Sequence, residues 1–299
     1  MRNNPSSDRR YNVNGWTFIS AALFLLILFN IYPIINSLYL SFQTGKGVVM
    51  HFAGLDNIKR LFIDKEFHTA LFNTFTFLLF QVPIMIILAL IFASMLNNPK
   101  IKCKAIFRTA IFIPCVTSLV AYSLLFKSMF SYEGIINTIL LNIHIISKPI
   151  PWLSDPFWGK ITIIIAITWR WTGYNMIFYL AAIQNIDRSI YEAADIDSAN
   201  GVQKFFHITI PMIKPVIVFT TIMSTIGTLQ LFDEPMNLTS GGASSATFMG
   251  TLSLSQYIYN LSFKYVPNYG YAALISYVIV ILVAILTFIQ FKIAGGKND

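Results

Sequence analysis

Six long apolar runs constrain this chain more than any other feature of its sequence. They cover residues 16–40, 69–96, 105–130, 157–183, 212–232 and 270–292. A helix needs roughly 20 apolar residues to cross a bilayer, and a backbone in lipid must satisfy its hydrogen bonds internally. The sequence therefore predicts an all-α integral membrane protein with six transmembrane helices, forming a single membrane domain over residues 1–299.

Composition supports a membrane protein and argues against a soluble one. The chain is 56% hydrophobic and 11% charged, whereas soluble domains carry about 25% charged residues. Its net charge of +8 comes from basic residues beside the apolar runs and not from a basic tract. Nucleic acid is therefore not a predicted partner, and membrane lipid is.

The basic residues also predict how the chain is oriented in the membrane. Short segments that fall on one side share an excess of Lys and Arg: Arg2, Arg9, Arg10, Lys100, Lys102, Lys104, Lys292 and Lys297. Because such residues favour the cytoplasmic side, both termini are predicted to be cytoplasmic, together with the loop between the fourth and fifth runs. The opposite loops also hold basic residues, partly offset by acidic ones. The first run is too long for a signal peptide and is predicted to be an uncleaved span.

The longest polar segment between two apolar runs lies between the fourth and the fifth. Ser189 is predicted to cap a helix there, with Glu192 three residues later completing a capping box. Asn200 and Gly201 both tolerate the left-handed conformation and are predicted to end that helix. Pro211 suits the first turn of the next helix, because its missing N–H needs no partner there. The segment thus predicts two short helices joined by a tight turn.

The spacing in this segment resembles the EAA loop of binding-protein-dependent ABC transporter permeases. The pattern is carried by residues at fixed intervals: Glu192, Ala193, Ala194, Ile208 and Pro211, with Asp197 alongside. Ser198 stands where the family usually has glycine, and Ile210 where it usually has leucine. The resemblance implies a type I ABC importer permease fold in a bacterial-type inner membrane, with the loop facing the cytoplasm.

The resemblance also implies roles and partners. The loop of residues 189–211 would dock on a cytoplasmic ATPase through the candidate coupling residues Glu192, Ala193, Ala194, Asp197, Ser198, Gly201, Ile208 and Pro211. The alanines would allow close approach and Gly201 a sharp exit, while Glu192 either caps its own helix or pairs with a charge on the ATPase. The implied partners are a second homologous permease, two ABC ATPase subunits and an extracytoplasmic solute-binding protein.

The outer loops contribute a second resemblance. Phe52, Gly54, Leu55 and Asn57 match an F-x-G-L-x-N segment that is common after the first span of sugar permeases, and this favours a sugar or oligosaccharide as the substrate. In the family these loops meet the solute-binding protein. A short helix is predicted near residues 247–259, and Trp152 is expected at the membrane interface.

The sequence shows no pattern of an ATP-binding or catalytic site. It has no G-x-x-x-x-G-K-[ST] loop, so ATP and magnesium are expected in the partner ATPase and not in this chain. Its four His residues are scattered and its two Cys residues have no metal spacing. The chain is therefore predicted to be a transport subunit without cofactor or metal, and not an enzyme.

A polar and aromatic cluster in the fourth run predicts a substrate pathway. Aromatic faces stack on sugar rings while hydroxyl and amide groups bond to sugar hydroxyls, and the segment resembles the W-x-G-Y segment of maltose-type permeases. With two positions on the fifth run, the candidates are Trp169, Arg170, Trp171, Gly173, Tyr174, Thr228 and Gln230. The other interpretation is helix packing, with Gly173 allowing close contact. Arg170 is expected to pair with Asp233 or Glu234, or instead to meet an acidic sugar.

Two other functions stay open at this point. A glycerol-phosphate-type ABC permease shares the loop and the span plan, but its substrate would want a second basic group near Arg170. An ion-driven secondary transporter usually has an intramembrane acid and broken helices in inverted repeats. The first four predicted spans contain no Asp or Glu, which disfavours a proton-coupled mechanism.

Overall fold

The computed structural model describes residues 5–47, 49–239 and 245–295. The predicted all-α class is confirmed, with one short hairpin, β1 (Gln43–Lys46) and β2 (Val49–Phe52), among the described residues. The helices are α1 (Pro5–Leu26), α2 (Tyr32–Ser41), α3 (Asp56–Ile63), α4 (Lys65–Asn97), α5 (Lys104–Val116), α6 (Leu119–Met129), α7 (Ile135–Asn142), α8 (Pro156–Gln184), α9 (Arg188–Ile196), α10 (Gly201–Lys204), α11 (Ile210–Met212), α12 (Lys214–Leu229), α13 (Ser245–Thr251), α14 (Leu254–Tyr259) and α15 (Tyr269–Gly295). Short π-helical stretches adjoin them at Ile27–Ile31, Phe205–Thr209, Pro235–Thr239 and Asn260–Lys264. Arg2 and Lys297 lie outside the described residues.

Within those residues, three helices are long and apolar enough to cross a membrane: Gly15–Ser41, Lys65–Asn97 and Tyr269–Gly295. Two bent pairs pass the same test if each is one span, namely Lys104–Val116 with Leu119–Met129 and Gly201–Met212 with Lys214–Leu229. The remaining predicted run forms α8, which is 29 residues long but carries the polar cluster at its middle. Five spans are thus supported by length and composition, and a sixth through α8 stays a prediction.

The third apolar run does not form the continuous helix that was predicted for residues 105–130. It bends by 100° between α5 and α6. Pro114 lies inside α5 near its end, where its ring and missing N–H weaken the last turn. Thr117 then takes an extended conformation, and the side chain of Ser118 accepts a hydrogen bond from the N–H of Ala121 to begin α6.

The break before the fifth span lies two residues later than expected. Pro211 sits in α11, where the helical course from Gly201 continues, and the chain turns by 70° at Ile213. Pro215 then occupies the first turn of α12. Both prolines lie in the first turn of a helix, where the missing N–H needs no partner, but only Pro215 begins the long helix.

By internal contacts the described residues form two compact units, the chain up to Ile63 with Ile258–Tyr277, and Asp64–Tyr257 with the chain from Val278. The prediction of a single membrane domain is not tested by this division.

The hairpin in the first unit explains the F-x-G-L-x-N segment, although no strand was predicted there. Gly47, in the turn between β1 and β2, and Gly54 both have positive φ. The amide of Asn57 is buried and donates to the carbonyl oxygens of Ser41, at 2.9 Å, and Gln43, at 2.7 Å. The motif therefore holds the hairpin against the helix that follows it.

In the second unit α4 and α8 lie side by side, and two clusters of buried side chains pack along them. One cluster includes Phe77, Tyr122, Phe126, Trp152 and Ile163, and the other includes Ala89, Met176, Tyr179, Ile183 and Ile213. Because lipid is as apolar as these side chains, close packing and interhelical hydrogen bonds hold such helices together.

Trp152 was expected at a membrane interface. It is instead buried in the first of these clusters, with 7% of its surface exposed. Its indole N–H donates to the Oδ1 of Asn137 at 2.9 Å. The amide of Asn137 also bonds to the backbone of Tyr132 and Ile150. The side chain of Asn137 thus holds the segment from Tyr132 to Trp152 together, and Trp152 is buried inside the protein. The single short helix predicted near residues 247–259 is present as two short helices, α13 and α14.

Candidate functional site

A cavity of about 380 Å³ lies in the second unit between α4, α8, α12 and the segment after α12. Its volume falls in the range of about 300–1,000 Å³ that is typical of small-molecule sites. The lining residues are Gln81, Met85, Ile167, Arg170, Trp171, Tyr174, Asn175, Phe219, Thr220, Met223, Ser224, Gly227, Thr228, Gln230, Leu231, Phe232, Asp233 and Glu234.

One ion pair joins α8 to the segment after α12 at this cavity. Nη1 of Arg170 lies 3.5 Å from Oε1 of Glu234, and the two side chains are 15% and 5% exposed. The pairing expected for Arg170 is thus confirmed, with Glu234 and not Asp233 as the partner. The guanidinium carbon also lies 5.2 Å from the ring centroid of Tyr122 and 5.5 Å from that of Trp171. These aromatic faces stabilise the cation further.

Aromatic rings form another part of the cavity wall. The rings of Trp171 and Tyr174 meet edge to face with centroids 5.8 Å apart, and each side chain is 38% exposed. Tyr174 contacts Phe178 in turn, and Phe178 contacts the cavity-lining Phe219. Rings that are held by neighbouring rings yet partly open to the cavity are suited to stacking on the apolar face of a sugar.

Amide and hydroxyl groups lie on the facing helices. The hydroxyl of Thr228 donates to Oε1 of Gln81 at 2.8 Å, which links α12 to α4. The amide of Asn175 bonds to the carbonyl oxygen of Trp171 and to the sulfur of Met85. The cavity therefore combines an aromatic wall, an ion pair and a few polar groups, an arrangement that is chemically suited to a polyhydroxylated ring.

Five of the seven predicted pathway residues line this cavity: Arg170, Trp171, Tyr174, Thr228 and Gln230. Trp169 instead stacks on Tyr122 with centroids 6.0 Å apart. Gly173 faces α5, where a Cβ atom would lie 2.0 Å from the carbonyl oxygen of Ile111. Those two residues serve packing, which was the other interpretation given for the segment.

Five of the thirteen lining residues that were not proposed lie on α12. They include Thr220, Ser224 and Gly227, which with Thr228 follow an i, i+4, i+7, i+8 spacing. That spacing of small and polar residues places them on one helix face and could have identified them from the sequence. Gln81, a polar residue within the second apolar run, lines the cavity from α4.

The first helix of the loop between α8 and α12, α9, is capped by a different residue from the one predicted. The side chain of Asp187, and not Ser189, caps α9 by accepting a hydrogen bond from the N–H of Ser189. Asp187 precedes the helix by one residue and its carboxylate is the stronger acceptor at a positive helix end. The hydrogen bonds from Ser189 lower the pKa of the Asp187 carboxyl below its ordinary value.

The helix α9 ends at Ile196, with Asp197 as its C-cap, and not at Asn200 and Gly201. Ser198 has a φ of 57°, its N–H bonds to Asp195 O, and the N–H of Ala199 bonds to Ala194 O. This pattern is a Schellman end, which glycine normally occupies because the left-handed conformation costs other residues energy. Ser198 therefore stands at the position that makes the turn.

Asn200 begins the next helix instead of ending the first. Its side chain and that of Gln203 form a reciprocal capping box at the start of α10. Gly201 is the first residue of α10, and a Cβ atom built on it would meet nothing within 4 Å. The sharp exit that was assigned to Gly201 is therefore wrong, because neither the backbone conformation nor the space requires glycine there.

Side-chain contacts hold the two arms of this loop together. The hydroxyl of Tyr191 lies 2.8 Å from that of Thr209, and Lys204 pairs with Asp195. Ala194 is buried, whereas Glu192, Ala193 and Asp197 are exposed. Ile208 is partly buried and Pro211 is exposed. Three large apolar side chains also remain exposed on the loop: Ile196, Val202 and Phe206.

The sequence matches, over residues 64–294, the family described as binding-protein-dependent transport system inner membrane component. The chain belongs to this family. The match runs from α4 to α15, so it contains both the cavity and the loop. The membership that the EAA resemblance implied is therefore confirmed.

Relatives extend the similarity over nearly the whole chain. The permease is 60% identical to the lactose transport system permease protein LacF of Rhizobium radiobacter, over 98% of each protein. It is 33% identical to the arabinooligosaccharides transport system permease protein AraP of Halalkalibacterium halodurans, over 95% of this chain and 89% of that protein. A chain of a bacterial ABC transporter involved in the import of the acidic polysaccharide alginate has the same fold, with a TM-score of 0.84 and 21% identity over 98% of this chain and 99% of that chain.

Proposed function

We propose that this permease is the membrane-spanning subunit of an ATP-driven importer that takes up a sugar or oligosaccharide from a solute-binding protein. The relative named for lactose, at 60% identity over 98% of both chains, supports a small saccharide. The observation that carries the proposal is the cavity itself, because the exposed rings of Trp171 and Tyr174 lie there beside amide and hydroxyl groups. Aromatic stacking with hydrogen bonding is the chemistry by which proteins hold sugars.

The cavity residues also argue against a phosphorylated substrate. Arg170 is the single cationic side chain among the residues that line the cavity, and Glu234 already pairs with it. A glycerol phosphate would bring about two negative charges at neutral pH and would need cationic or bidentate donors to hold them. The glycerol-phosphate alternative is therefore disfavoured.

The loop that holds α9 and α10 is the proposed contact with the ATPase. Ile196, Val202 and Phe206 expose apolar surface on the same loop that carries the exposed Glu192. Apolar side chains on a polar loop mark an interaction surface. Glu192 is exposed and Asp187 caps the helix, so Glu192 is assigned to the partner and not to its own helix end.

The remaining partners and the orientation follow from the same proposal. A second homologous permease completes the pathway, two cytoplasmic ABC ATPase subunits bind and hydrolyse ATP with magnesium, and a solute-binding protein docks on the outer loops. This chain itself holds no cofactor and catalyses no reaction. It lies in the inner membrane with both termini in the cytoplasm, and transport proceeds by alternating access.

Gentle affinity purification of the chain from its native membrane, followed by mass spectrometry, tests this assembly. We expect a second permease and an ABC ATPase to come with it, and the co-purified or cross-linked solute-binding protein to bind lactose or a related saccharide. A chain recovered alone or as a homo-oligomer, and still active in uptake without ATP, would exclude the importer and favour an ion-driven transporter.

A further inference from the structure

The charges that line the cavity are unbalanced. Its lining residues include one cationic side chain, Arg170, and two carboxylates, Asp233 and Glu234. One positive and two negative charges leave a net charge of −1 when all three are ionised. The carboxylate of Glu234 is almost fully buried, while Asp233 next to it is exposed.

The positive charge of Arg170 is already offset by a carboxylate of the protein. Its guanidinium lies 3.5 Å from Glu234, and both side chains are largely withdrawn from solvent. A buried charge must stay paired, because separating such a pair leaves an uncompensated charge in a medium of low polarity. The flat faces of Tyr122 and Trp171 cover other sides of the same guanidinium. A carboxylate that enters the cavity would meet Asp233 and Glu234 beside a guanidinium whose charge Glu234 already offsets.

An uncharged sugar meets no such obstacle. Its hydroxyl groups can donate to the carboxylate oxygens of Asp233 and Glu234, and its ring can stack on Trp171 or Tyr174. An acidic sugar would make the same stacking contact but would add a third negative charge. Like charges several ångströms apart, at an effective dielectric constant of about 20, change affinity by about ten-fold or more.

We infer that Glu234, by neutralising Arg170, is a specificity-determining residue that makes the cavity accept uncharged saccharides and reject acidic ones. This inference rests on the proposed function and adds to it the class of sugar and the residue that selects it. The fold does not decide the matter, because a transporter of the same fold is involved in the import of an acidic polysaccharide.

Direct binding to the complete transporter, reconstituted in lipid nanodiscs without its solute-binding protein, tests the inference. The probes are lactose and lactose oxidised to a carboxylate at C6 of its galactose ring, which differ in one group. Competition measured by saturation-transfer NMR gives both affinities even when binding is weak. In the unaltered protein we expect the carboxylate analogue to bind at least ten-fold more weakly than lactose.

Two variants locate the selectivity. Glu234→Gln leaves Arg170 without its counter-ion, so the analogue should gain at least ten-fold in affinity relative to lactose. Asp233→Asn removes the exposed carboxylate without disturbing the buried ion pair. It should reduce the difference in affinity between lactose and its carboxylate analogue several-fold. Glu133→Gln, an exposed site on the loop before α7, is the matched control and should keep the original ratio.

The outcomes separate the inference from the function on which it rests. If neither probe binds the unaltered transporter at any concentration reached, the proposed saccharide cavity itself is wrong. If both probes bind equally well, the cavity is a sugar site but the charge selection is wrong. The inference is also wrong if the Glu234→Gln transporter assembles but keeps the original ratio of affinities for lactose and its carboxylate analogue. If that variant does not assemble, Asp233→Asn decides in its place, and an unchanged ratio there overturns the inference.

Discussion

Gly173 lies so close to Ile111 that no side chain fits between them. A Cβ atom built on Gly173 would stand 2.0 Å from the carbonyl oxygen of Ile111 and 3.0 Å from the Cα of Phe112. The backbones of α8 and α5 are therefore in direct contact at this point. Small residues allow such approach between membrane helices, and here the contact lies two residues from the cavity-lining Trp171.

Gly173→Ala should separate these helices or strain them. Overpacking of a filled interior costs about 1–3 kcal/mol, so the apparent melting temperature of the purified transporter should fall. Gly227→Ala is the matched control, because Gly227 is also a helix residue in the same unit but has nothing within 4 Å of its built Cβ. Equal melting temperatures for the two variants would contradict the close contact.

Removal of Arg170 alone should destabilise the protein more than removal of both members of its ion pair. Arg170→Met leaves Glu234 buried without a counter-ion, which costs about 3–5 kcal/mol in buried pairs. The double variant Arg170→Met with Glu234→Gln removes both charges and should recover most of that loss. A double-mutant cycle on unfolding free energies measures the coupling. Additive effects would show that the two side chains do not interact.

Ser198→Gly should stabilise the turn that ends α9. A residue other than glycine pays about 1–2 kcal/mol in the left-handed conformation, and Ser198 adopts it with a φ of 57°. Hydrogen exchange of the α9 amides should therefore slow in the glycine variant. Gly201→Ala, at the first residue of α10, should leave hydrogen exchange and uptake unchanged. Faster exchange or lost uptake in that variant would restore the role first assigned to Gly201.

Glu192→Lys should uncouple ATP hydrolysis from uptake without affecting folding. The side chain is exposed and the cap of α9 is supplied by Asp187, so the amount of protein in the membrane should not change. Uptake should fall by about ten-fold or more while the ATPase activity of the complex persists, since a reversed charge disrupts a charged contact between subunits. Glu133→Lys makes the same charge change on a distant loop and should retain coupling.

The fold class and most helix positions could be predicted from the sequence because long apolar runs dominate it. The apolar runs gave the helical class and most of the helix positions, because a backbone in lipid has few alternatives. The ion pair of Arg170 was also predictable, since a mid-span cation requires a nearby acid. Trp171 and Tyr174, which were predicted to line a substrate pathway, both line the cavity. Their polar N–H and O–H groups need hydrogen-bond partners, which lipid does not provide.

The sequence was less informative where a single local contact decided the outcome. Thr117 and Ser118 break a run whose hydropathy is continuous, because Pro114 weakens the turn before them. Several residues near Asp187 and Ser198 could cap or end a helix, and their capping free energies differ by only about 1 kcal/mol. Trp169 and Gly173 could not be separated from Trp171 by pattern, because which face of α8 meets α5 depends on the tertiary fold.

Transport by the complete complex in proteoliposomes tests the central claim most directly. The vesicles would enclose Mg-ATP, with radiolabelled lactose and the solute-binding protein outside and the ATPase face inside. We predict that lactose accumulates only when ATP and the solute-binding protein are both present, and that Glu192→Lys lowers accumulation by about ten-fold or more. Accumulation without ATP, driven by an imposed proton or sodium gradient, would contradict the account.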